Sequence, residues 1–359
     1  MTQNRPTHPP IFDGHNDTVL SLEKTGRSFF ERTQQGHIDL PRARAGGLGG
    51  GFFAVYIHDP INADRADAAG SLEATMRLYR DESTWPEPMS LEYAQSAALR
   101  LLGRLLRIPQ ASQGEVAVVH TAAELQQCLD AGVFAMLLHF EGAEPLDLEG
   151  HALEVFYAAG LRSVGLTHSR RNRFACGVPL KFPSSPDTGA GLTDAGKELV
   201  RQLNRRRVMI DLSHITERGF WDVAALSAAP LVATHSNAHA LSPSPRNLTD
   251  RQLDAIRDTR GVVGLNFHVG FLREDGARNA DTPIGRMVDH IEYMVERMGI
   301  DCVALGSDFD GAQMPAELCD AAGLPGLVQA LCDRGYAGED LRKLLHGNWV
   351  RVLRETWGA

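Results

Sequence analysis

The chain has 359 residues, 43% hydrophobic and 23% charged, enough to bury a large core in one big α/β domain or two ordinary ones. Its 45 acidic against 36 basic residues, a formal net charge of −9, argue against a nucleic-acid surface. MTQNRPTHPP at the start holds no apolar signal segment, and no later run reaches the roughly 18 apolar residues of a membrane span, so a soluble, cytoplasmic protein without a membrane partner is expected.

In chain order, short apolar runs predict strands at 11–17 (IFDGHND), 51–57 (GFFAVYI), 133–140 (VFAMLLHF), 161–167 (LRSVGLT), 208–213 (VMIDLS), 230–235 (PLVATH), 261–267 (GVVGLNF) and 301–307 (DCVALGS). Most are followed by an amphipathic stretch, such as DAGKELVRQLNRR at 194–206 or RQLDAIRD at 251–258. About eight strand-then-helix units predict a parallel (β/α)8 TIM-like barrel as a single domain. Residues 58–132 break the rhythm with helices of their own, for example LEYAQSAALRLLGRLL at 91–106, and read as a helical insertion on the barrel.

The polar residues fall at the ends of these runs. His15 and Asp17 close the first strand, where side chains two apart share a face. Glu141, His168, His214, His235 and Asp308 follow other strands. In such barrels the C-terminal strand ends face one mouth, so these seven residues are expected to meet there. A lone H-x-D or a single strand-end histidine means little. Structural roles would scatter such residues along the elements, whereas here independent strand ends carry nitrogen and oxygen ligand types, which favours metal binding.

His15, Asp17, Glu141, His214 and His235 are too many for one tetrahedral zinc with an open position, but suit two ions roughly 3.5 Å apart with a bridging carboxylate. The lysines, Lys24, Lys181, Lys197 and Lys343, end no predicted barrel strand, which leaves Glu141 as the bridge. The five cysteines include no C-x-x-C pair, so neither a disulfide framework nor a thiolate zinc site is suggested.

HND at 15–17, HFEGAEPL at 139–146, GLTHSR at 165–170, DLSH at 211–214, THSNA at 234–238, PRN at 245–247 and SDFDG at 307–311 occur in one order over nearly the whole chain. Together they resemble the membrane (renal) dipeptidase family, binuclear zinc peptidases on a distorted (β/α)8 barrel. The resemblance implies that His15, Asp17 and Glu141 hold one Zn2+ and that Glu141, His214 and His235 hold the other. It implies further that His168 polarises the substrate, that Arg246 binds the dipeptide carboxylate, and that Asp308 transfers a proton while touching substrate. Arg170 stands where mammalian members carry a cysteine, so that family disulfide is not expected. Without a secretory signal or an apolar C-terminal tail, the chain is similar to the bacterial-type, soluble members.

The implied chemistry is attack by a zinc-bridging hydroxide on the peptide carbonyl of a dipeptide, L-Xaa-D-Xaa included, with Asp308 passing the proton to the leaving amine. Another binuclear barrel hydrolase, acting on a lactone, amide or phosphoester, is the alternative; it needs no carboxylate clamp, so Arg246 speaks against it. A metal-bound structural protein would need neither Asp308 nor His168. GLTDAGK at 191–197 fits a phosphate-loop pattern, but Glu198 replaces its Ser/Thr, and Thr193-Asp194 suits a helix start. His139 is placed behind the ligands, His239 in a loop, and His268 and Tyr56 near the pocket, with packing the role expected of Tyr56. Arg170, Arg171 and Arg173, following His168, are expected to bring a guanidinium to the substrate's second side chain and to favour D-Asp or D-Glu over D-Lys there. The oligomeric state stays open, a homodimer included.

Overall fold

Strand propensity and turn chemistry set where the chain changes direction. In the computed structural model, which describes residues 8–59 and 79–358, the strands are β1 (Ile11–Asn16), β2 (Leu48–Tyr56), β3 (Val116–Val118), β4 (Phe134–Glu141), β5 (Leu161–Gly165), β6 (Met209–Asp211), β7 (Val232–Ala233), β8 (Val262–Leu265) and β9 (Val303–Leu305). The pairing order is β1-β2-β4-β5-β6-β7-β8-β9, parallel throughout. The sheet is drawn into a barrel above β1 and β9: the Asp17 amide donates to the Phe309 carbonyl (2.8 Å) and the Asp308 amide to the His15 carbonyl (3.0 Å). Below, the Asp13 carboxylate accepts the Ser307 amide (2.6 Å) and hydroxyl (2.8 Å). The expected α/β TIM-like barrel is the observed fold.

All eight expected strands are present, the last four shorter than their apolar runs, because parallel strands between helices are buried on both faces and apolarity outlasts pairing. β3 has no counterpart in the expected set; it pairs with the first half of β4. The segment 58–132 therefore carries a strand as well as helices, α1 (Leu91–Ala111) and α2 (Ala122–Ala131), while its residues 60–78 lie outside the described ones. α1 starts where Ser90 caps the Tyr93 amide, and it buries Ala94, Ala97, Ala98, Leu101, Leu102, Leu105 and Ile108 at helical spacing. A further helix, Asp194–Arg206, opens on Thr193, whose hydroxyl accepts the Gly196 amide, so GLTDAGK is a helix start.

Side chains alternate along β4. Phe134, Met136, Leu138 and Phe140 join the outer core between strands and helices, while Ala135 and Leu137 face the barrel interior with Phe12, Phe52, Met209, Val232, Val262 and Ala304. Trp349, on the C-terminal helix Asn348–Trp357, plugs this interior from below; it is fully buried and its indole N–H donates to the Leu305 carbonyl at 3.0 Å. Higher up, the Thr234 carbonyl is approached by three other strands: a Cβ on Gly14, Gly264 or Gly306 would lie 2.5, 2.0 or 1.9 Å from it. Only glycine allows that approach.

Candidate metal centre

The seven strand-end residues meet at one mouth. His15 is the next-to-last residue of β1 and Asp17 lies just beyond the strand, whose register with β2 is irregular between Asp13 and Asn16. Glu141 is the last residue of β4 rather than the first after it. His168, His214 and Asp308 stand in the loops after β5, β6 and β9, and His235 in that after β7. His214 and Asp308 hold positive φ, 69° and 62°, conformations that cost non-glycine residues and gather at functional sites.

Glu141 is the centre of the geometry. Its Oε1 lies 3.0 Å from His214 Nε2 and 3.6 Å from both His15 Nε2 and His235 Nε2. His15 Nε2 also stands 3.7 Å from Asp17 Oδ2, and the His214 and His235 Nε2 atoms are 3.0 Å apart. Ligand atoms of His15, Asp17 and Glu141, and again of Glu141, His214 and His235, each lie within 4.8 Å of one another. The two groups share Glu141. His15, His235 and Asp308 form a third, overlapping group.

The electrostatics fit a cation between them. Burial works against charge on His15, yet the Glu141, Asp17 and Asp308 carboxylates outweigh it and push the imidazole up to about 10. Burial raises Glu141 well above the usual carboxylate range, and Asp308 above it as well. Burial, with Arg246 and neighbouring imidazoles, holds His214 and His235 well below the ordinary histidine value, so their lone pairs are free to bind. Both ring nitrogens of His15 and Asp17 Oδ1 are buried without a hydrogen-bond partner among the described residues. Nitrogen and carboxylate donors, buried, partly unpartnered and without sulfur, suit one or two divalent ions.

A cavity of about 530 Å³ opens beside this cluster, lined by Asp17, Glu141, His168, His214 and Asp308, by Tyr56, His58, His268 and Phe271, and by Lys24 and Arg278. His168 rests on Tyr56 (ring centroids 4.6 Å) and His214 (4.2 Å), and burial, with Arg170 and Arg246, holds it well below its ordinary value. Asp308 Oδ2 accepts from Asn266 Nδ2 at 2.9 Å. Arg246 lies behind the cavity wall: it is buried, Nη2 donates to the His235 carbonyl (3.0 Å), and Nε has no partner among the described residues.

The arginine loop does not behave as expected. Arg170 is buried against Glu144 (2.7 Å) with its guanidinium over the Tyr56 ring (5.0 Å); Arg171 donates to the Glu82 carbonyl near Trp85. None of Arg170, Arg171 and Arg173 lines the cavity. The expected preference for D-Asp or D-Glu loses its basis, because a carboxylate 26 residues earlier in the chain has already claimed the best-placed guanidinium. His268 and Tyr56 line the cavity, His139 sits edge-on behind His15 (5.4 Å), and His239 binds the Ser184 carbonyl away from the cluster. Sequence reasoning missed Ser169, whose hydroxyl meets His214 Nδ1 (3.0 Å), and Lys24, Asn266, Asp211 and Thr234. Only Ser169, Asp211 and Thr234 lay inside motifs already singled out.

Comparison with known proteins agrees with this geometry. Residues 4–358 match the family described as "Membrane dipeptidase (Peptidase family M19)". The chain is 50% identical over 271 residues to an uncharacterized protein in the pqqA 5′ region of Klebsiella pneumoniae, covering 76% of this chain and 98% of that one. It is 29% identical over 358 residues to the dipeptidase tcpJ of Claviceps purpurea, covering 96% and 76%. Its fold is similar, at a TM-score of 0.90 and 45% identity over 97% of this chain and 99% of the other, to a metallo peptidase from Rhodobacter sphaeroides liganded with a phosphinate mimic of the dipeptide L-Ala-D-Ala.

Proposed function

The chain belongs to the membrane dipeptidase family, Peptidase family M19, and within that metallo-dipeptidase chemistry we propose that it holds two zinc ions and hydrolyses dipeptides, L-Xaa-D-Xaa among them. The observation that carries this reading is the convergence of three histidine Nε2 atoms on Glu141 Oε1 at 3.0–3.6 Å, with Asp17 and Asp308 beside them. His15 and Asp17 would hold one ion, His214 and His235 the other, and Glu141 both. Bound there, the pair of cations would polarise the scissile carbonyl and make water acidic near neutral pH.

The chain's own residues supply the rest. Asp308, raised by burial and aimed by Asn266, takes the proton of the attacking water and delivers it to the leaving amine. His168, held neutral, offers an N–H to the carbonyl oxygen as it gains charge. Arg246, with its unpartnered Nε, is assigned to the free carboxylate of the substrate. The mimic carried by the Rhodobacter sphaeroides enzyme supports acceptance of a D-residue in second position. Among the described residues no helix is long and apolar enough to cross a membrane, and all five cysteines are free, which supports work in the cytoplasm. The test is hydrolysis of L-Ala-L-Ala and L-Ala-D-Ala by purified protein, together with elemental analysis. Near two zinc ions per chain and turnover of both dipeptides are expected; one tightly bound ion, or no cleavage of L-Ala-D-Ala, overturns the corresponding part.

A further inference from the structure

Beneath the ligands, DLSH and THSNA each contribute a residue that the proposed chemistry does not use. Asp211, the last residue of β6, is buried; its carboxylate oxygens bind the next strand and its own loop, and Oδ2 also lies 3.6 Å from His139 Nε2. Oδ1 accepts the amides of Ser213 (3.0 Å) and Thr234 (2.8 Å), and Oδ2 accepts the Thr234 hydroxyl at 2.6 Å. A threonine hydroxyl has one proton. With that proton given to Asp211, Thr234 Oγ1 can only accept at its remaining contacts, His235 Nδ1 at 2.8 Å and, more distantly, the Ser213 hydroxyl at 3.5 Å.

We propose that Asp211, acting through Thr234, is a positioning residue for the metal centre: the relay keeps a proton on His235 Nδ1 and so presents the Nε2 lone pair to the metal. The direction of the chain is forced at each link. An imidazole protonated at Nδ1 and neutral overall carries its lone pair on Nε2, the atom 3.0 Å from His214 Nε2 and 3.6 Å from Glu141 Oε1. Thr234 cannot drift from the post. Its backbone carbonyl is boxed in by Gly14, Gly264 and Gly306, its branched side chain has few rotamers, and the His235 amide is held separately by the Ser213 hydroxyl (3.1 Å). His214 obtains a comparable contact from Ser169, but with no carboxylate bonded to that serine among the described residues the direction of the bond stays open.

The inference rests on the reading of His235 as a metal ligand, and its test separates the two. Zinc affinity is measured by chelator competition on the purified protein and on Thr234→Val and Thr234→Ser. Valine keeps the shape and removes the hydroxyl; serine keeps the hydroxyl. Thr234→Val should bind the zinc assigned to His214 and His235 about 10- to 100-fold less tightly, the usual cost of losing a partner of a metal-bound histidine, and Thr234→Ser within about threefold of the parent. Equal affinity for the parent and the valine variant, or equal loss in both variants, overturns the relay. The second readout needs no variant: ring 15N shifts of the zinc-loaded parent should show His235 protonated on Nδ1 and coordinated through Nε2. Coordination through Nδ1 overturns the relay, whereas a His235 ring untouched by zinc overturns the ligand assignment itself.

Discussion

Down the inward face of β4, Ala135 and Leu137 give way to His139 and Glu141; on β6, Met209 gives way to Asp211. The floor and the mouth of one barrel thus follow opposite rules. At the floor, Phe12, Phe52 and Trp349 pack ring to ring, 5.7 and 5.1 Å between centroids, and the Trp349 indole N–H has its acceptor. At the mouth, both nitrogens of His15, Asp17 Oδ1 and His168 Nδ1 are buried with no hydrogen-bond partner. A buried polar atom left without a partner costs roughly 1–3 kcal/mol, so a mouth lined with such atoms favours a ligand that partners them. The difference locates stability at one end of the strands and chemistry at the other.

That separation can be broken experimentally. Glu141→Gln removes the charge common to both ligand groups; metal should leave both, and kcat/KM should fall by roughly a thousandfold or more, the several kcal/mol a catalytic metal contributes. With chelator present its melting temperature should not drop, because burial disfavours the Glu141 charge. A glutamine variant with full metal content would end the shared-carboxylate assignment. Asp308→Asn sharpens the contrast within the mouth: kcat should fall about 10²- to 10⁴-fold with metal content unchanged, and near-normal turnover would reassign the proton carrier.

Trp349→Ala attacks the floor. Denaturant titration should show a loss of about 3–5 kcal/mol, while kcat of the folded fraction and its zinc affinity stay within a few-fold of the parent. Collapse of zinc affinity in a still-folded variant would show that floor and mouth are not separable. The smallest effect concerns pH. Burial holds His290 down at about 4, with Nδ1 accepting the Ala238 amide and Nε2 donating to the Leu272 carbonyl. A histidine lowered in the fold contributes stability above its ordinary pKa, near 6.5, and loses it as pH falls through about 4. Between those values unfolding free energy should drop by up to about 3 kcal/mol on this account, and His290→Gln should flatten part of that slope. An unchanged acid slope would discharge His290.

The barrel and its mouth were legible in the sequence because both depend on local patterns: apolar runs of strand length, and ligand-type side chains at their ends. His15 and Asp17 could be paired from their spacing alone. What supports the ligands was not legible. Asp211 and Thr234 are 23 residues apart and meet through hydrogen bonds that leave no periodic trace, although both stood inside quoted motifs. Arg170 failed as a specificity residue for the same reason, since nothing near it in sequence announces Glu144. Strand β3 escaped because three residues, Val116–Val118, are too few to show an alternation.

The clasp between Asp13 and Ser307 joins residues 294 apart in the chain. A ribosome adds about 5–20 residues per second, so the first strand is made roughly 15–60 s before the partner that closes the barrel over it. Through that interval His15 and Asp17 are present without Asp308, and the floor lacks Trp349. The nascent protein therefore has all five proposed ligands, the last of them His235, before it has Asp308 or a sealed interior, both of which wait for its last strand and helices.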